Sequence, residues 1–405
     1  MNEQIKKARE VARGILQPRA ADLERGLALH RESVVVESYG LGLMAPVDGT
    51  RMAAAIAAGA SGLELQDMGE DMRMSRWAEV PELREEFEAA WRAAGVTCTY
   101  QNAGEEGNDP LRLIKRLARH TYVTDMLPQL MARVVRPADI EAAKAAGKIC
   151  RYMTGNGIPL AGDQNNIAEE LRYIRVFFQL GVRMMHLTYN RRNPIGDGCA
   201  EPADAGLSEF GREVVREMNR VGVMIDIAHT GRQTSLDAVE ASERPVVVSH
   251  SCAHRLNAHI RCKDDELIRK VVAGGGTMGI TNIPAFLGGR GDISAMLDHI
   301  DYVASTFGVD HVTIGTDRSY QSEQTAREQA KVARTGAARV RWEALWPKGD
   351  PVQAPEWKQD YQVQSLAWTN WPMLTVGLVQ RGYADADIRK IIGGNILRVS
   401  EEVLS

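Results

Sequence analysis

The chain has 405 residues, 44% of them hydrophobic and 25% charged, with a formal net charge of −4. That is ample length to bury a large core, and the composition is that of an ordinary soluble globular protein. The charge offers no general attraction to nucleic acid, and no apolar run is long enough to span a membrane. The first sixteen residues, MNEQIKKAREVARGIL, are polar, so no signal peptide is expected. The five cysteines (Cys98, Cys150, Cys199, Cys252, Cys262) have no CxxC spacing, which fits reduced thiols and a cytoplasmic location.

In chain order, residues 1–30 carry apolar side chains at helical spacing and predict one N-terminal helix. A strand follows at 33–36, a helix at 51–60, a short strand at 62–65, charged helix at 70–94 and a strand at 96–101. Residues 110–133 predict one or two helices, 137–146 another, and 148–153 a strand. Strict alternation then sets in. Helices are predicted at 167–180, 208–221, 234–241, 264–273 and 293–307, and strands at 183–188, 223–227, 246–249, 276–280 and 312–315. Strands alternating with helices of this length mean βαβ units and a parallel sheet. The strand count approaches eight, so the expected fold is α/β, a closed (β/α)8 TIM-type barrel forming one domain over 1–405. Residues 318–367 break the rhythm with charges, prolines and Trp342, Trp346 and Trp357. They read as an insertion after the last strand, either a lid or an excursion packed outside the barrel. Helical segments are expected near 372–381 and 385–403.

Two apolar runs end on histidine, VMIDIAH at His229 and VVVSH at His250, and a third, VTIGTD, ends on Asp317. In a parallel barrel those strand ends form the active-site face. Two neutral imidazoles on consecutive strand ends can share one ion.

From Leu180 onward the wording resembles the membrane (renal-type) dipeptidase family, peptidase family M19. The stretches that carry it are LGVRMMHLTYN, GLSEFGREVVREMNRVGVMIDIAH, RPVVVSHSCAHRLNAHIR, DHIDYVASTFGVDHVTIGTD and RGYADADIRKIIGGNILRVSEEV. The resemblance implies an amidohydrolase-type barrel, a two-zinc site that activates water against a dipeptide amide, and a homodimer. It places the second metal's histidines on His229 and His250, the carboxylate near the scissile bond on Asp317, and the arginine for the substrate carboxylate on Arg261. It also marks departures. The first strand's His-x-Asp pair falls on Tyr39 and Leu41, the bridging glutamate on Asn156, and the oxyanion-side histidine on Tyr189, with Asn190 beside it in a polar loop that includes Arg191, Arg192 and Asp197.

These replacements remove most of the charge that would hold two ions. The expectation is therefore one zinc or other divalent transition-metal ion, with Asp317 as a third ligand or proton shuttle. Glu37, Glu64, Asp163 and Asp226 are further oxygens an altered site could recruit. Each residue also has a plainer reading. His229 and His250 could be core histidines, Asp317 a helix cap, Arg261 a surface partner of Asp264 or Asp265, and Tyr39 and Tyr189 core fillers. His186 reads as buried structure, and Cys252 as a buried thiol rather than a nucleophile. Three functions stay open on the residues alone. The first is a dipeptidase-like hydrolase acting on a small carboxylated substrate. The second is a metal-independent acid/base enzyme using Tyr39, Tyr189, His229, His250 and Asp317. The third is a non-catalytic ligand-binding relative.

Overall fold

The structure, a computed structural model, describes residues 2–104, 108–162, 166–332 and 344–404. Asp163 and Trp342 lie outside the described residues. Eight parallel strands follow one another around a nearly closed barrel. They are β1 (Val36–Gly40), β2 (Cys98–Asn102), β3 (Ile149–Gly155), β4 (Val182–His186), β5 (Met224–Asp226), β6 (Val246–Ser251), β7 (Thr277–Ile280) and β8 (Val312–Ile314). Each pairs with the next in parallel, with register shifts in β1, between β3 and β4, and in β6. The seam between β8 and β1 is tied by Asp317 N–H donating to Tyr39 O (3.3 Å) and Leu41 N–H to Arg318 O (3.0 Å).

The barrel interior is filled from alternate positions. Val36, Cys98, Tyr100, Cys150, Tyr152, Met184, Met224 and Val247 form one buried cluster, with Tyr100 and Tyr152 edge to face at 5.2 Å. The C-terminal helix (Asn395–Leu404) adds Ile396, Val399 and Val403 to that cluster. Burial on this scale is the main stabilising term, worth about 25 cal/mol per Å².

Local chemistry explains where the predicted elements hold and where they need correction. Ser208 caps the helix Glu209–Val221 by accepting from Gly211 N–H, and Gly222 ends it at φ 86°. The single N-terminal helix expected over 1–30 is two, Glu3–Leu16 and Ala20–Glu32. Gln17 turns left-handed (φ 46°) at the break, and Pro18 beyond it lacks the N–H that would continue the ladder. The strand expected at 62–65 is the start of the helix Gly62–Glu79. Ser61 and Glu64 form a capping box there, and this local pairing outweighs the apolar run. Residues 110–133 give one helix, Pro110–Met126, followed by the two-residue strand Met131–Ala132 against β3.

After β8, Ser319–Gln321 pairs in parallel with Gly42–Met44 as a second small sheet. Described parts of the following segment return over the barrel mouth, where Arg191 clamps them by donating to Ala344 O and Trp346 O at 2.9 Å. No helix among the described residues is long and apolar enough to cross a membrane.

Candidate active site

A cleft of about 2140 Å³ opens over the C-terminal ends of the strands. Its floor includes Tyr39, Asn156, Tyr189, His229, Arg261 and Asp317. Its apolar lining includes Phe286, Leu345, Trp346, Val352 and Trp357 together with Leu41, Met44, Met52, Leu65 and Met74. The 318–367 segment thus supplies part of the cleft wall.

His229 lines this floor and His250 lies buried beside it, 4% and 0% exposed, with their Nε2 atoms 3.0 Å apart. Their outer nitrogens are fixed. His229 Nδ1 lies 2.6 Å from Asn190 Oδ1, an acceptor, so Nδ1 carries the proton and Nε2 the lone pair. His250 Nδ1 lies 2.7 Å from Ser249 Oγ. Ser249 donates its hydroxyl proton to Asp226, so His250 Nδ1 donates to Ser249, and its Nε2 also carries a lone pair.

Asp226 is fully buried. Burial raises its pKa, but the ion pair with His186 (2.6 Å) and hydrogen bonds from Ser249 outweigh this and hold it below the ordinary carboxylate range. Ala228 N–H donates to it as well (2.9 Å). Burial, then the nearby Arg261 charge, pushes both His229 and His250 well below the ordinary imidazole range. Two lone pairs therefore converge where a proton is disfavoured.

That donor set fits one cation. Zn–N bonds of about 2.0–2.1 Å at tetrahedral angles place two nitrogens about 3.3 Å apart, close to the observed separation. Ligating histidines also characteristically donate their other N–H to a carboxylate, carbonyl or similar acceptor, as both do here. Among the described residues, one group of three His, Cys, Asp or Glu side chains brings ligand atoms together, namely His186, Asp226 and His250. Asp226 is already saturated by His186, Ser249 and Ala228, so it acts behind the histidines rather than as an open ligand. The residues that the resemblance assigns to a second ion offer no anionic ligand. Leu41 is a hydrocarbon, Asn156 is neutral, and Tyr39 donates to Asn156 Oδ1 at 2.6 Å. Burial, then the charge of Asp317, holds the Tyr39 phenol well above its ordinary pKa and therefore protonated.

Aromatic stacking orders the layer. Tyr39 stacks on His250 at 3.9 Å, and Tyr189 on His229 at 4.1 Å. Asp317 is half-buried at the end of β8 with φ 54°, a strained left-handed position for a residue other than glycine. Arg261 is fully enclosed. Its Nη1 donates to Ala228 O, and its Nη2 lies 3.2 Å from His250 O and 3.3 Å from His229 Nε2. Its Nε–H has no acceptor among the described residues.

The structure therefore brings Tyr39, Asn156, Tyr189, Asn190, His229, His250, Arg261 and Asp317 to one place. It corrects several alternatives. Arg261 does not pair with Asp264 or Asp265, which bond to Arg232 and Tyr302 instead. Glu37 faces away from the cleft and accepts from Thr99, Thr316 and Trp368. Glu64 is spent in its capping box, and Arg192 and Asp197 pair with each other. His186 is buried, as expected, but inside the barrel against Tyr39, His229 and His250. Cys252 is fully buried, with its thiol pushed up by burial. Sequence reasoning missed Ser249 and Arg318. Ser249 was legible as the neighbour of a strand-end histidine.

The family model for membrane dipeptidase, peptidase family M19, matches residues 27–328. Dipeptidase tcpJ of Claviceps purpurea (strain 20.1) is 25% identical over 335 residues, which are 81% of this chain and 65% of that protein. The chain thus spans less than two thirds of that relative's length. An amidohydrolase from Pseudomonas aeruginosa superposes with a TM-score of 0.66 at 25% identity, covering 94% of this chain and 99% of that one. A metallo peptidase from Rhodobacter sphaeroides, liganded with a phosphinate mimic of the dipeptide L-Ala-D-Ala, shares the fold with a TM-score of 0.62 at 16% identity, covering 92% and 100%.

Proposed function

The chain belongs to the membrane dipeptidase family, peptidase family M19, and on that premise we propose that it hydrolyses a dipeptide or small carboxylated amide at a site for one divalent ion. The observation that carries the reading is the pair of Nε2 lone pairs, 3.0 Å apart, at the bottom of a cleft that His229 and Asp317 both line. The positions the family resemblance assigns to the other ion's ligands hold Tyr39, Leu41 and Asn156, which supports one ion rather than two. The phosphinate dipeptide mimic held by the Rhodobacter relative supports a dipeptide-sized substrate.

His229 and His250 would hold the ion, which when bound supplies Lewis-acid polarisation and a lowered water pKa. Asp317 takes a proton from the attacking water and returns it to the leaving amine. The phenols of Tyr39 and Tyr189 are donors that a developing oxyanion would recruit, Tyr39 by exchanging its bond to Asn156 Oδ1. Arg261 supplies positive charge, with its unpartnered Nε–H, for the substrate carboxylate.

A second reading, acid/base chemistry without an ion, is favoured by one contact. Arg261 Nη2, 3.3 Å from His229 Nε2, can satisfy that lone pair itself. The test is a panel of L,L- and L,D-dipeptides offered to protein stripped of metal and then given zinc, manganese or cobalt, with cleavage read by mass spectrometry. Cleavage that returns only with metal supports the first reading. Cleavage unaffected by stripping supports the second, and no cleavage under any condition rejects a dipeptidase.

A further inference from the structure

Arg318 follows Asp317 and lines the same cleft. Its backbone is held on three sides. Leu41 N–H donates to its carbonyl (3.0 Å), its own N–H donates to Thr316 Oγ1 (3.2 Å), and Ser319 beyond it is in register with Gly42. Its side chain is held along one edge only. Nε donates to Asn282 Oδ1 at 3.2 Å, and Nη2 reaches Asn282 O at 3.5 Å. Asn282 is itself 3% exposed and anchored by donating to Leu366 O (3.0 Å).

Both acceptors are neutral. Among the described residues no carboxylate lies within ion-pair distance of Arg318, whereas Arg112 and Arg116, which border the same cleft, are paired with Glu70. A half-buried, oriented guanidinium with no carboxylate in direct contact, and only the neighbouring Asp317 acting on it through space, loses hydration that the chain replaces in part. Its fork matches a carboxylate in two parallel hydrogen bonds.

We infer that Arg318 is a second anion anchor and that the preferred substrate is an acidic dipeptide, whose additional carboxylate binds Arg318. The inference rests on the dipeptidase reading for the identity of the reacting bond, and on Arg318 alone for the extra carboxylate.

The test uses the full chain with dipeptides pairing alanine with Asp, Glu, Asn or Gln, in both orders and with L and D residues. Cleavage is read as kcat/KM, and binding as the shift in melting temperature. The expected result is a preference of about tenfold or more for each acidic peptide class over its amide isostere. That ratio should fall to within about twofold of unity in Arg318→Met. Asn282→Asp, which neutralises Arg318 without removing it, should erase the preference too, and it guards against a misfolded Arg318 variant. Equal handling of acid and amide by the wild type, or an unchanged ratio in both variants, overturns the inference. If no peptide is cleaved the dipeptidase reading fails, and the melting shifts with the same peptides then decide Arg318 on binding alone.

Discussion

His229 and His250 face each other through Nε2 atoms 3.0 Å apart, each held from behind by a different hydrogen-bond chain. Asn190 fixes the first, and Ser249 on Asp226 fixes the second. The spare valence of two neutral imidazoles is thus aimed at one point before any ligand arrives.

Ser249→Ala removes the hydroxyl between Asp226 and His250 and frees the imidazole to rotate. The expected loss is about ten- to hundredfold in divalent-ion affinity, measured by competition with a chromogenic chelator. An unchanged affinity would show that the tautomer of His250 is set by something else.

Asp317→Asn keeps the shape and the tolerance for φ 54° but removes the carboxylate that handles protons. Turnover should fall by about a hundredfold or more with little change in melting temperature. Tyr189→Phe, which keeps the stack on His229 and removes the phenolic donor, should lower kcat more than it raises KM. Wild-type turnover in both variants would remove the proposed roles.

Tyr39→His with Leu41→Asp should leave the protein with one ion, because Asn156 still presents only a neutral oxygen. Adding Asn156→Glu should raise the content to two ions per chain, read by equilibrium dialysis. A double variant that already binds two ions tightly would show that Asn156 is not at the bridging position.

Glu37 gives a pH signature independent of the cleft chemistry. Burial raises its pKa from the ordinary 4.5 to about 7, against hydrogen bonds from Thr316, Trp368 and Thr99 that lower it. Between those values the folded chain keeps a proton that the unfolded chain releases. Stability is therefore full below pH 4.5 and falls as pH rises through 7, by about 3 kcal/mol at most. Denaturant unfolding across that range should show this slope in the wild type and lose it in Glu37→Gln. Equal slopes in both would contradict the assignment.

The strand ends were legible because alternation marks where β5, β6 and β8 run and a parallel barrel puts their C-terminal ends on one face. That brought His229, His250 and Asp317 forward. Parity failed where the chain leaves regular geometry. Tyr189 lies beyond the end of β4 in a loop, so counting from it said nothing about His186, which shares the barrel interior with Met184. The register shift between Glu37 and Gly40 turns Glu37 away from the cleft. Arg318 carried no pattern of its own. Only the left-handed turn at Asp317 and the small sheet formed by Ser319–Gln321 with Gly42–Met44 place it at the cleft.

The most direct measurement is metal content per chain, by plasma mass spectrometry, on protein purified without chelators or a histidine tag. The account predicts about one divalent transition-metal ion in the wild type, lost in His229→Ala and in His250→Ala. Two ions in the wild type, or none in a folded and active protein, would contradict it.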